Sequence, residues 1–113
     1  MEAESEYLVK ITPEAEHYYL EILYYLYHTH DSTSANKKSS ELLELAMSLC
    51  ENPNRGTDEE TLKYLGKKHK RLVYQITTRN TIKIIYYVEE SNKTVYITDF
   101  FPTVMNPNKM KRG

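Results

Sequence analysis

Between Lys70 and Phe101 the chain alternates apolar and polar positions in three blocks. They are KRLVYQIT (Lys70–Thr77), TIKIIYYVE (Thr81–Glu89) and KTVYITDFF (Lys93–Phe101). Each is rich in β-branched and aromatic residues, and Thr78-Arg79-Asn80 and Glu90-Ser91-Asn92 separate them at hairpin length. The pattern predicts an antiparallel three-stranded meander. A period of two sorts its side chains into two faces. Ile82, Ile84, Tyr86 and Val88, with Leu72, Tyr74 and Ile76 beside them, form an apolar face that needs a cover. Arg71, Val73, Gln75, Lys83, Ile85 and Tyr87 fall on the other face, which mixes cations, aromatics and an amide and is expected to stay open.

The cover is written earlier in the chain. Tyr7, Val9 and Ile11 alternate with Leu8 and Lys10, which predicts a short strand over Glu6–Ile11. Thr12 as N-cap, Pro13 at the first helical position, and Glu14 and Glu16 in the first turn then open a helix. Ala15, Tyr18, Tyr19, Ile22 and Leu26 carry its helical spacing to about His28. After a polar turn, Ser32 or Ser34 caps a second helix to about Cys50, with Leu42, Leu45, Ala46 and Leu49 as its apolar stripe. Asn52-Pro53-Asn54-Arg55-Gly56 ends it with turn chemistry, and the polar segment Thr57–Glu60 follows. The order is β-α-α-β-β-β. The expected class is α+β: a four-stranded antiparallel sheet covered on one face by a helical hairpin.

Composition narrows the picture. The 113 residues suit one domain, 1–113, ending in a flexible basic tail from about 103 to 113. An acidic opening, MEAESEYLVKI, carries no apolar run, so neither a secretory signal nor a membrane span is expected there. The single cysteine, Cys50, excludes an internal disulfide and fits a reducing, cytoplasmic setting, with a packing role at the end of a helix. A net charge of −1 hides an asymmetry: residues 1–60 hold four Lys/Arg against thirteen Asp/Glu, and residues 61–113 hold eleven against three. Either the second half meets a polyanion, or the two halves neutralise each other across the fold. Five of the eleven tyrosines lie on the first helix, more than one core needs, which leaves room for a partner contact. His28, His30 and Asp31, or His17 with Glu21, have ligand chemistry, but no further spaced His/Cys set completes a metal site. No metal or other cofactor is expected.

ITPEAEHYYLEILYYL opening the first helix, NPNRG after the second, IKIIYYV as the middle strand, and KTVYITDFF followed by PTVMNPNKM resemble the RelE/ParE superfamily of bacterial type II toxin–antitoxin toxins. The resemblance implies a co-encoded antitoxin that wraps the toxin, with a dimer or a hetero-oligomer as the expected assembly and no membrane partner. It also implies one of two activities: ribosome-dependent mRNA cleavage, as in RelE-like members, or inhibition of DNA gyrase without nuclease chemistry, as in ParE-like members. RelE-like enzymes place an arginine where Lys83 stands, and acid–base or basic residues where this chain has Pro102, Thr103, Val104 and Met105. Lysine keeps the charge there but loses the bidentate fork. That departure, and the long hairpin from about Pro13 to Cys50, tilt the resemblance toward ParE.

Cationic candidates for target or nucleic-acid contact are Lys70, Arg71, Arg79 and Lys83, with Lys109, Lys111 and Arg112 on the tail. If RNA is cleaved, the catalytic candidates are Lys83 for the developing charge, His69 as acid or base, and Tyr87, with Tyr87 and Tyr96 able to stack on bases. Each has a plainer role too: a solvated charge run for Lys67–Arg71, packing for a tyrosine on a sheet. Three readings remain: a gyrase inhibitor, a ribosome-dependent endoribonuclease, and a non-toxic nucleic-acid-binding or interaction domain.

Overall fold

The structure, a computed structural model, describes residues 6–59, 62, 66, 68–78 and 80–103. Its strands are β1 (Leu8–Ile11), β2 (Thr57–Asp58), β3 (Lys70–Gln75), β4 (Thr81–Glu89) and β5 (Thr94–Thr103); its helices are α1 (Pro13–Thr29) and α2 (Ser32–Met47). The fold is α+β, with two helices packed on a five-stranded mixed sheet of order β1-β5-β4-β3-β2.

The meander forms as its alternation dictates, with β3, β4 and β5 antiparallel in sequence order. Ile82, Ile84 and Tyr86 of β4 are buried, as are Leu72 and Ile76, and Val88 and Tyr74 are partly buried against the same core. On β5 the core residues are Val95, Ile97 and Phe100, a spacing that strict alternation forbids. A bulge at Thr98 reconciles them: Ile85 pairs with Asp99 while Tyr86 pairs with Ile97, so one extra residue resets the parity. Thr98 Oγ1 donates to the Ile85 carbonyl at 3.3 Å across the irregularity.

Two features of the expected sheet are corrected. Among the described residues it has five strands rather than four, because Thr57–Asp58 pairs antiparallel with Arg71 and Lys70 at the start of β3. Two residues are too short to show a period, so the polar sequence reads as coil. The sheet is also mixed, since β1 runs parallel to β5, from Leu8 beside Thr94 to Ile11 beside Ile97. Hydropathy assigns faces but not direction. Here direction follows from Thr12, whose amide donates to the Ile97 carbonyl at 3.0 Å as the chain leaves β1 for α1.

The hairpin opens at its expected caps with one change. Thr12 Oγ1 accepts the Ala15 amide at 3.2 Å, and Pro13 follows in the first turn. On α2 the cap is Asp31 rather than Ser32 or Ser34: its carboxylate accepts the Ser34 amide at 2.7 Å. A carboxylate there also meets the positive helix end. The helix stops at Met47, and a 3-10 turn, Ser48–Cys50, carries Leu49 into the core and leaves Cys50 half-buried. Ala15, Ile22, Leu26, Ala35, Leu42 and Ala46 face the sheet, with Leu45 partly buried beside them. Lys38 Nζ donates to the Ile76 carbonyl and the Tyr74 hydroxyl to Glu41, both at 2.7 Å, which ties α2 to β3. Thr103 still belongs to β5, because it pairs with Thr81, so any tail begins after it.

Candidate functional site

The face of the sheet away from the helices is a grid whose rows are set by strand register. One row runs Val73–Lys83–Phe101 and the next Arg71–Ile85–Asp99. The third continues from Tyr87 to Tyr96, with His69 just ahead of β3 on the other side of Tyr87. Three rows thus bring two cations, one carboxylate and four rings onto one surface.

This surface is not bare, contrary to expectation. Ile85 points onto it yet is 5% exposed, and Glu59 and His69 are 4% and 6% exposed. Alternation states which way a side chain points but not what lies over it. The chain folds back through β2, and Glu59 is fixed next: its amide donates to the His69 carbonyl at 2.8 Å. Its Oε1 then lies 3.2 Å from Lys83 Nζ and 3.4 Å from Arg71 Nη1. Arg71 Nη1 also donates to the Asp58 carbonyl at 2.6 Å. A carboxylate so buried requires paired cations, and among the described residues Lys83 and Arg71 provide them. Arg71 and Lys83 thus share this one carboxylate.

Gly56 is what lets the segment lie so close. A Cβ at that position would sit 2.6 Å from both the Arg71 carbonyl oxygen and the Tyr86 hydroxyl. The resemblance rested partly on NPNRG, and the physical task of its glycine is this close approach, which sets Thr57–Glu59 against β3.

The rings form a ladder. His69 meets Tyr87 edge-on, with centroids 5.3 Å apart at 71°, and Tyr87 meets Tyr96 at 5.3 Å and 32°. Tyr87 and Tyr96 are half-buried, so each keeps some surface for a planar group. His69 sits beneath the surface, so it is a floor rather than an exposed acid or base.

Of the sequence candidates, Lys83, Arg71, His69, Tyr87 and Tyr96 come together on this one face. Lys70 does not join them. It is adjacent to Arg71 and therefore points to the opposite side of the strand, where Nζ lies 3.1 Å from Asp58 Oδ1. Arg79, Lys109, Lys111 and Arg112 lie outside the described residues. Sequence reasoning missed Glu59 altogether. Its signal was the acidic run Asp58-Glu59-Glu60, placed just before the basic strand it neutralises. Two of the histidines considered as metal ligands make local contacts. His28 Nδ1 donates to the Tyr24 carbonyl at 2.8 Å, and His17 Nε2 lies 3.0 Å from Glu21 Oε2. Among the described residues no group of three or more His, Cys, Asp or Glu converges on a metal position.

The opposite side of the molecule offers apolar surface. Leu20, Tyr24, Tyr25 and Tyr27 of α1 and Leu43 and Met47 of α2 are exposed. A pocket of about 250 Å³ lies between α1 and the end of the sheet, walled by Tyr18, Ile22, Tyr25, Ile82 and Pro102, with Glu21 among its polar lining. Among the described residues no helix is long and apolar enough to cross a membrane. No protein-family model matches the chain, and a search of curated proteins returns no match.

Proposed function

We propose that the chain is the toxin of a type II toxin–antitoxin module of the RelE/ParE kind. It is neutralised by a co-encoded antitoxin and arrests growth by ParE-like inhibition of DNA gyrase. The observation that carries the reading is the Arg71–Glu59–Lys83 group: the cations of the far face are already paired with a buried carboxylate, and His69 is buried beneath Tyr87. That is a surface for gripping a macromolecule rather than a set of groups poised for proton transfer. A helical hairpin against a sheet with a C-terminal antiparallel meander supports the family assignment. The exposed Leu20, Tyr24, Tyr27, Leu43 and Met47 suit an antitoxin that lays an amphipathic segment along the hairpin.

One observation favours the RelE-like reading instead. Tyr87 and Tyr96 stack one row away from Arg71, the arrangement that would hold an RNA base beside a bound phosphate. The two readings separate on induction in a bacterial host, with protein synthesis and plasmid supercoiling followed in parallel. Gyrase inhibition predicts loss of negative supercoiling before translation falls; early translational arrest with supercoiling intact assigns the chain to the ribonuclease class. Growth unaffected at high expression, with no antitoxin present, overturns both.

A further inference from the structure

We propose that Thr57–Glu59 is a built-in gate. Glu59 occupies, from within the chain, an anion site formed by Arg71 and Lys83, and a nucleic-acid phosphodiester displaces it. The inference rests on the far face being the working surface and adds how access to it is regulated.

Three observations carry it. The first is the shared oxygen: Glu59 Oε1 is within ion-pair distance of both Lys83 Nζ and Arg71 Nη1. Two cations on one oxygen is how a phosphodiester oxygen is held as well, so the exchange conserves charge and hydrogen-bond geometry. The second is the cost of the resting state. Glu59 gives up its hydration to sit there, and it recovers that hydration on leaving, so the exchange is close to balanced and a ligand can tip it. The third is the fragility of the element that delivers it. The strand β2 is two residues long, with Thr57 and Asp58 exposed, and pairs with β3 at two positions only. Its other anchors are the Glu59 amide on the His69 carbonyl, the Arg71 guanidinium on the Asp58 carbonyl and the Lys70–Asp58 ion pair, and an edge element this short opens at lower free energy than the core while the rest of the fold stays closed. Arg71 stays on the same face through its ladder position opposite Ile85, and the donor it gives to the Asp58 carbonyl becomes available to an incoming anion when β2 opens.

The gate also sets what a ligand must bring. Withdrawing Glu59 removes one negative charge from beside Arg71 and Lys83. Occupancy therefore demands a ligand that brings more contacts than the carboxylate it replaces. A phosphodiester flanked by a base meets that demand, because Tyr87 and Tyr96 lie one row beyond Arg71.

The experiment measures binding of a short fluorescent single-stranded DNA oligonucleotide to the full chain by anisotropy. Glu59→Gln is expected to bind about ten-fold more tightly than the parent, with a steeper salt dependence. Adding Lys83→Gln to that variant is expected to erase the gain. A folded Glu59→Gln with unchanged affinity overturns the gate. Inorganic phosphate is expected to compete weakly; competition as strong as that of the oligonucleotide overturns the nucleic-acid assignment. Should Glu59→Gln fail to fold, the parent chain still decides. The side-chain carboxyl resonance of Glu59 is expected to shift as oligonucleotide is added, and a resonance that stays in place overturns the gate. Failure of the toxin reading looks different: Glu59→Gln would still gain affinity while induction of the parent left growth, translation and supercoiling unchanged.

Discussion

The amide of Gly56 donates to the hydroxyl of Tyr86 at 3.0 Å, joining the turn after α2 to the most deeply buried tyrosine of the sheet. The contact explains how a tyrosine can occupy a core position with no exposure: its one polar atom meets a backbone donor. It also fixes the start of the segment that carries Glu59. Gly56→Ala puts a methyl group 2.6 Å from backbone at Arg71 and from a tyrosine that cannot move aside. The expected loss is about 1–3 kcal/mol in urea unfolding. Tyr86→Phe, which keeps the ring and removes the acceptor, is expected to cost about 1 kcal/mol. Equal stability of Gly56→Ala and the parent would show that the turn is not packed against β3.

Ile84 lies at the centre of the covered face, with no exposure, between Leu72 and Phe100 in the ladder. Truncation to alanine is expected to cost about 2–5 kcal/mol, since close-packed surroundings collapse only partly into the space. A loss below about 0.5 kcal/mol, the range of ordinary surface substitutions, would contradict the burial of that face.

Much of this architecture was legible in the sequence because it rests on local signals. Period two across Thr81–Glu89, the Thr12-Pro13 cap and the stripe Leu42–Leu49 each report burial or backbone geometry directly. What was not legible depends on contacts between segments distant in the chain. The bulge at Thr98 shows only as a break in alternation, Val95–Ile97–Phe100, which reads equally well as noise. The parallel pairing of β1 depends on where α1 must lie. Lys83 was legible as a cation on a mixed face, but its pairing with Glu59 joins residues 24 apart through a two-residue strand. No period announces such a contact. Charge order along the chain is the only trace it leaves.

Alkaline pH tests a different part of the fold. Burial, the hydrogen bond to Glu41 and the charge of that carboxylate push the Tyr74 phenol well above its ordinary value of 10. Burial likewise raises Tyr86, partly offset by the Gly56 hydrogen bond and the charge of Arg55. The folded state thus holds these protons more tightly than the unfolded chain. Their stabilisation is fully present below about pH 10 and is lost as pH rises through the raised values. Urea midpoints are expected to be flat up to about pH 10 and to fall above it. Tyr74→Phe should be slightly less stable near neutral pH and should lose less on the alkaline side. Parallel pH profiles for the two proteins would show that Tyr74 is not held by Glu41.

Growth arrest is expected to depend on Lys83. Its ladder neighbours on the far face, Val73 and Phe101, are apolar, a setting in which solvation alone would not favour a lysine. Its ammonium is only partly exposed and is directed to Glu59 at 3.2 Å. Removing the charge leaves Arg71 to pair the buried carboxylate, so Lys83→Gln should keep the fold by circular dichroism while lowering the positive charge the face presents. Expressed at the parent's level, Lys83→Gln is expected to lose growth arrest, and Lys83→Arg, which keeps the charge and adds a bidentate fork, to retain or strengthen it. A role confined to stability would instead make both variants track their unfolding midpoints. Arrest by Lys83→Gln as fast as by the parent would remove the far face from the mechanism. The exposed apolar residues of the hairpin, Leu20, Tyr24 and Leu43 foremost, would then be the surface that meets the target, and the ribonuclease reading would lose the cation it most needs.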